Sequence, residues 1–313
     1  MLLTQNKLVM SAVIFSSILF IFVFALEKTK ILINIVPKAR GEVSINEDLV
    51  ITTTKTGHQI IVKKDDMFFG NEMRFSGSLK YIFSDIALSL CKPNDVIIDT
   101  GAYFGYNVIC MASKLQGTGK IYAFEDNRQI YSCLRKSILL NDMDNFIKVK
   151  NVAISDRKGI REKEDFMAVH ENPDGSFSTP PTFVAQSNTL DDEMKDLASK
   201  IDLMLIDDAG YEFEILKGAQ NIIRNSPKLV ILSYYERKLS ARGIPVKEEL
   251  DKFVDDGFYI YFVDEDGKTS EPSTSEIAAK DIGVIIITKN RMVKESVSKL
   301  NDAKSKKDKS KKE

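Results

Sequence analysis

The stretch that decides the fold is Asp95-Val96-Ile97-Ile98-Asp99-Thr100-Gly101-Ala102-Tyr103-Phe104-Gly105. An apolar run ends in an acid, a glycine-bearing turn follows, and a helical pattern opens at Tyr106. Gly101 and Gly105 let backbone approach a ligand with no Cβ in the way, and Ala102 and Tyr103 lie in the same loop. Amides at the start of the next helix carry positive partial charge, which suits a carboxylate or phosphate. A dinucleotide fingerprint requires G-x-G-x-x-G, whereas this loop reads G-x-x-x-G. The loop therefore points to a nucleoside bearing a small anionic or zwitterionic group, with Asp99 placed to attract a cationic amino group.

Outward from this loop, apolar runs alternate with helical patterns. Residues 96–99, 120–124, 147–152, 201–206 and 229–233 read as strands, and 106–115, 128–140 and 212–224 as helices. Continuous apolar runs mark strands buried on both faces, so the expected core is an α/β doubly wound, mostly parallel sheet. Residues 258–263 and 281–288 suit a long antiparallel hairpin at its end. Glu125-Asp126 closes the second strand, 24 residues after Gly101, where an acid can accept hydrogen bonds from both ribose hydroxyls; a solvated acid at a helix start is the plainer alternative. Ser155-Asp156 follows the third strand, where an adenine amino group could be recognised, or where the chain simply turns. Asp207-Asp208 ends the fourth strand. Either carboxylate could act as a general base toward a hydroxyl, and Asp208 could equally cap the following helix. Tyr234-Tyr235-Glu236 ends the fifth strand and is a candidate acceptor-binding group, as is His170 in a polar segment that reads as a mobile loop.

Composition bounds the remaining possibilities. The 313 residues hold 44 Lys+Arg against 45 Asp+Glu, so a general nucleic-acid binder is disfavoured. Three cysteines, none at metal-ligand spacing, argue against a disulfide framework or a zinc site and toward a reducing compartment. The acidic pairs do not demand a metal. Residues 8–26 carry no charge and would span about 28 Å as a helix, close to the hydrocarbon core of a bilayer. They read as an uncleaved N-terminal transmembrane anchor, with a cleaved signal peptide as the alternative. Lys28, Lys30, Lys38 and Arg40 then place the body in the cytoplasm. The expected organisation is an anchor at 1–29, a β-rich extension with a small hairpin at 30–75, the main domain at 76–290 and a disordered basic tail at 291–313.

These motifs, in this order, resemble the FkbM family of S-adenosylmethionine-dependent methyltransferases. The resemblance rests on Val96-Ile-Ile-Asp99-Thr-Gly101-Ala with Gly105, Gly119-Lys-Ile-Tyr-Ala-Phe-Glu125, Asn141, Val152-Ala-Ile-Ser-Asp156, Thr189-Leu-Asp-Asp192, Ile206-Asp207-Asp208-Ala209-Gly210-Tyr211-Glu212 and Leu216-Lys-Gly-Ala219. It implies a class I methyltransferase-like, Rossmann-like sheet of seven strands. The cofactor would lie over the sheet's C-terminal edge, with the glycine loop at its methionine portion, Glu125 at its ribose and Asp156 near its adenine. Two positions depart from the family pattern: Tyr103 stands where Asn is usual, and Ala209 where Glu is usual. The leading expectation is a membrane-anchored O-methyltransferase acting on a glycan, a glycolipid or another small molecule. Two alternatives stay open, a non-catalytic cofactor-binding scaffold and an NAD-dependent oxidoreductase, the latter opposed by the missing third glycine.

Overall fold

The computed structural model describes residues 41–297, except 68, 165–178, 198, 226–228, 292, 294 and 296. The small hairpin is present: β1 (Val43–Ser44), β2 (Leu49–Thr53) and β3 (Gln59–Lys63) form an antiparallel sheet, with Gly57 making the reversal at φ +88. The helix α1 (Phe69–Ser76) follows within the stretch expected to be β-rich, and α2 (Ile82–Leu90) leads into the main domain.

Next come β4 (Val96–Thr100), α3 (Tyr106–Lys114), β5 (Lys120–Phe124), α4 (Arg128–Leu140) and β6 (Ile147–Lys150). The hairpin is fastened to α4. Ile61 N–H donates to Ser137 Oγ at 2.9 Å, and the Asn141 side chain both accepts from Gln59 N–H at 3.0 Å and donates to its carbonyl at 2.7 Å. Val50, Ile60 and Val62 then share one apolar cluster with Ile109, Ile130 and Cys133. Asn141 thus acts as a tie between the extension and the main domain.

Beyond β6 lie β7 (Ala153–Ile154), β8 (Gly159–Glu164), β9 (Thr182–Asn188), α5 (Leu190–Glu193), β10 (Leu203–Ile206), α6 (Glu212–Lys217) and α7 (Gln220–Asn225). The described chain closes with β11 (Leu229–Tyr235), α8 (Glu236–Ala241), α9 (Val246–Asp255), β12 (Tyr259–Val263), β13 (Thr269–Ser270), α10 (Thr274–Ala278) and β14 (Ile282–Thr288). The main sheet has the order β13-β12-β14-β11-β10-β4-β5-β6. From β11 through β6 every pairing is parallel, and β14 runs antiparallel between β11 and β12. All four residues of β10 are buried, as a strand covered by helices on both faces requires. The chain steps outward from β4 to β6 and then returns to β10 on the other side of β4. Ligands bind beyond the strand ends at such a switch point.

Three expectations are corrected. The main sheet has eight strands among the described residues, not seven, because β13 adds two residues to the edge of β12. The helix expected over 212–224 breaks at Gly218. A Cβ there would lie 1.9 Å from the Ser155 carbonyl oxygen, so β7 and the end of α6 can meet only at a glycine. The strand expected over 147–152 stops at Lys150, and β7 leaves to pair with β9 and β8 in a separate three-stranded sheet. The motif Thr189-Leu-Asp-Asp192 is a capping device: Thr189 Oγ1 accepts from Asp192 N–H at 3.1 Å, and Asp191 accepts from Asn221 and Ile222 N–H, each at 2.9 Å. No helix among the described residues is long and apolar enough to cross a membrane. The tail expected to be disordered from 291 instead begins against the core, with Val297 buried in an apolar cluster and Val293 packed on it; the expected anchor at 8–26, the tail from 298 onward and His170 lie outside the described residues.

Candidate active site

The ends of β4, β5 and β10 open into a cleft of about 620 Å³. Its base is set by Gly101 at φ +76, where a Cβ would meet the Asp207 carbonyl oxygen at 2.0 Å. Hydrogen alone fits, so the first loop and the β10 turn lie in direct backbone contact. Asp207 N–H donates to the Thr100 carbonyl at 3.2 Å, and Gly101 N–H to the Phe124 carbonyl at 3.0 Å, which joins the three strand ends.

Glu125 is buried, and its carboxylate is aimed by backbone. Tyr103 N–H donates to Oε2 and Asn127 N–H to Oε1, both at 2.9 Å. A carboxylate offers about four lone-pair sites, so each oxygen keeps capacity for a hydroxyl. Burial, and then the neighbouring Asp126, push this carboxyl well above its usual range. Asp99 is also buried, and its Oδ2 accepts no hydrogen bond from the described residues; burial and Asp207 push it up as well. Asn107, at the start of α3, lines the cleft with a buried Oδ1 that has no partner among the described residues.

Tyr103 and Ala209, the two departures from the family pattern, are both non-glycine residues at φ 52. Asn, which the family resemblance leads one to expect at 103, tolerates that left-handed region better than most residues. Here the cost is offset by contacts. The Tyr103 hydroxyl donates to Asp66 Oδ2, and its ring meets Phe69 edge-on at 5.8 Å, which roofs the cleft with residues from the N-terminal side of the domain.

The β10 turn is held from beneath by Glu212, which is fully buried. Gly210 N–H donates to both of its carboxylate oxygens at 3.0 Å, Asp208 N–H to Oε1 at 3.2 Å, and Ser233 Oγ to Oε1 at 3.2 Å. Asp207 faces the Tyr81 and Ser233 hydroxyls, whose pull opposes the upward push of burial. The Tyr81 and Tyr235 hydroxyls are 2.8 Å apart on the same wall. Asp208 Oδ1 accepts from Lys163 Nζ at 2.7 Å. That ammonium also bonds Asp126 Oδ2 and stands 4.3 Å from the centre of the Tyr211 ring. Lys163 is buried, and the two acids hold it in its charged form against that burial. Burial pushes Asp208 up to about 7, Lys163 opposes this, and Asp126 adds to it.

Asp99, Glu125, Asp207, Asp208 and Glu212 therefore all hold their protons more tightly in the fold than in an open chain. A carboxyl raised in this way contributes stability that is complete below its unfolded pKa and is lost as pH rises through the folded value. The melting temperature is expected to fall by several degrees between about pH 5 and about pH 8, and Asp208→Asn is expected to flatten that slope. A melting temperature that rises across this interval would contradict the assignment.

Gly101, Ala102, Tyr103, Gly105, Glu125, Asp126, Asp207, Asp208 and Tyr235 all line the cleft. Asp99, Ser155, Asp156, Tyr234 and Glu236, also expected there, are not among the lining residues; Asp99 is buried within β4. Ser155 and Asp156 hydrogen-bond to each other, and Asp156 pairs with Arg161 outside the lining. Tyr234 is fully buried and packs edge-on against Phe262 at 6.0 Å, because alternation along β11 sends it to the opposite face from Tyr235. Glu236 opens α8 but is not among the lining residues, whereas Lys238 of the same helix is. Lys163, Lys238, Asn107, Tyr81 and Phe183 also line the site and carried no sequence signal. Lys163 sits within Arg161-Glu-Lys-Glu164, which reads as a solvated charge run. A second cleft of about 620 Å³ runs along β6 and holds none of the glycine-loop residues.

A family model described as the methyltransferase FkbM domain matches residues 99–278, more than half of the 313 residues. No curated protein matches the chain. Among solved structures, P. horikoshii TYW2 in complex with MeSAdo is 13% identical at a TM-score of 0.42, over 78% of this chain and 73% of that one. M. jannaschii TYW2 in complex with AdoMet is 13% identical at 0.42, over 78% and 86%. Precorrin-6y C5,15-methyltransferase from Geobacter metallireducens is 13% identical at 0.38, over 66% and 87%. The matched segment starts at the acid of the glycine loop and takes in Glu125 and the Asp207 turn, so this chain belongs to the FkbM methyltransferase family, whose cofactor is S-adenosylmethionine.

Proposed function

We propose that this methyltransferase is tethered to a membrane by residues 8–26, with its body on the cytoplasmic side, and that it methylates a hydroxyl oxygen of a glycan, a glycolipid or another small molecule. The observation that carries the reading is the meeting, in one cleft, of the Gly101 loop, the aimed Glu125 carboxylate and the Asp207-Asp208 turn beside a pair of tyrosine hydroxyls. The residues fit the cofactor. Gly101 admits a close approach, Glu125 keeps acceptor capacity for ribose hydroxyls, and Asn107, which lines the cleft, offers a buried oxygen for an amino group. When bound, S-adenosylmethionine supplies an already activated methyl group. The protein's share is to hold the acceptor in line and to take up a proton. Asp208 is suited to receive that proton, because its carboxyl lies at about 7, near working pH, and its Oδ1 is steadied by Lys163. Tyr235, anchored by Tyr81, presents a hydroxyl that can orient the acceptor.

Calorimetry with S-adenosylmethionine tests the cofactor half of this reading. Glu125→Ala removes the acceptor for two ribose hydroxyls, a loss of about 3 kcal/mol, so affinity is expected to fall about 100-fold. Unchanged affinity would remove Glu125 from the ribose. Family membership displaces the nicotinamide-dependent alternative. The non-catalytic reading keeps one specific support, the methyl of Ala209 lining the cleft where related sequences carry a carboxylate. Transfer of a labelled methyl group to a membrane or glycan extract decides between the two, since a scaffold binds the donor and transfers nothing.

A further inference from the structure

The helix α4 presents an unusual outer face. Arg128, Ser132, Arg135, Lys136 and Leu139 recur at i, i+4, i+7, i+8 and i+11, which places them on one stripe opposite the buried Ile130, Leu134 and Ile138. The helix contains no acidic residue, although the whole chain is nearly charge-balanced at a net −1. Arg128, Arg135 and Lys136 are exposed and form no ion pair with any described residue. They border a surface groove of about 430 Å³ together with Tyr131 and Asn151. At the end of the same helix Leu139 and Leu140 are 54% and 41% exposed, two large apolar side chains adjacent to the cations.

Three such cations within about 12 Å of helix call for an anionic counterpart. The leucines choose among anionic surfaces. Phosphates of a nucleic acid offer nothing to two exposed leucines, whereas a bilayer offers headgroups to the cations and an acyl boundary to the apolar tips. We infer that the outward face of α4 is a docking surface for an anionic lipid bilayer, with Arg128, Arg135 and Lys136 at the headgroups and Leu139 and Leu140 at the acyl boundary. Asn127, the N-cap of α4, lines the cleft. Docking through this helix therefore holds the cleft within one helix length of the lipid surface, where an amphiphilic acceptor would be met. The inference extends the membrane reading proposed above, and its experiment separates the two.

The test uses the full chain, sedimented with vesicles of phosphatidylcholine alone and of phosphatidylcholine with phosphatidylglycerol. Binding to the zwitterionic vesicles reports on residues 8–26, and the increment on adding the anionic lipid reports on charge. The triple variant Arg128→Gln, Arg135→Gln, Lys136→Gln is expected to lower that increment on the order of 100-fold, roughly fivefold per charge removed, with melting temperature and S-adenosylmethionine affinity unchanged. Leu139→Ser with Leu140→Ser is expected to lower it while leaving its salt dependence in place. An increment that is absent in the native chain, or that the triple variant leaves undiminished, overturns the inference; a smaller remainder is expected from Lys28, Lys30, Lys38, Arg40 and the basic tail. So does a triple variant that loses binding to a transfer RNA probe, or changes its oligomeric state, while vesicle binding stays intact.

Discussion

Gly101→Ala is expected to cost about 3–5 kcal/mol of stability and to lower S-adenosylmethionine affinity by at least 100-fold. The added methyl would stand 2.0 Å from the Asp207 carbonyl oxygen, and the residue would keep φ +76, a conformation that side chains disfavour. Neither strain can relax locally, because the clashing atom is backbone and belongs to the turn that carries Asp207 and Asp208. Relief requires β4 and β10 to part at the point where the cleft is built. Gly105→Ala is the informative control. Its Cβ would meet the far end of the Leu134 side chain at 2.4 Å, and a leucine can change rotamer. Denaturant unfolding and calorimetry on both variants should therefore give a clearly larger loss at 101 than at 105. Equal losses would mean that conformational strain, not the contact with Asp207, governs the loop.

The second large effect is expected at Glu212. Glu212→Ala strips the acceptor from Gly210 N–H and Asp208 N–H, leaving both inside the fold without it, and leaves the Ser233 hydroxyl only Asp207 to turn to. Each such group costs about 1–3 kcal/mol, so a loss of about 3–5 kcal/mol is expected, with Asp208 released from its place beside Lys163. Glu212→Gln keeps the shape and one carbonyl acceptor and is expected to lose less than half as much. The readout is the unfolding midpoint, together with cofactor affinity. A Glu212→Ala protein as stable as the native chain would show that the turn, with Ala209 at φ 52, is self-supporting.

These two residues also show what could be read in advance. Gly101 was legible because a buried strand, an acid and a glycine follow one another within a few residues, and local order suffices for a strand-turn-helix junction. Glu125 was legible by its distance along the chain from that glycine. Glu212 was visible as part of a motif, but its role in accepting from the two turn amides and Ser233 depends on how the chain folds back beneath the turn. Gly218 shows the same limit: its neighbour across the interface, the Ser155 carbonyl, is more than sixty residues earlier in the sequence.

Tyr234 and Tyr235 were equivalent candidates in the sequence. Only the register of β11 against β10 and β14 sends one into the apolar core and the other to the cleft wall. Lys163 is hidden in the sequence. Its charged neighbours resemble a solvated edge, and nothing local signals that β8 turns inward to place an ammonium between Asp126 and Asp208. The roof made by Phe69 and Tyr103 was hidden for a related reason, since it depends on the N-terminal hairpin docking onto α4.

By itself the sequence determined the alternation of strands and helices, the loop at 101–105, the acid at 125 and the acid pair at 207–208, because each is written in neighbouring residues whose periodicity and backbone freedom act over one turn or one strand. The tertiary structure alone decided which of these residues share a cleft, which tyrosine faces it, and that a lysine from a flanking sheet closes it. Those outcomes depend on contacts between segments far apart in the chain, where burial and charge pairing are settled only once the whole sheet has formed.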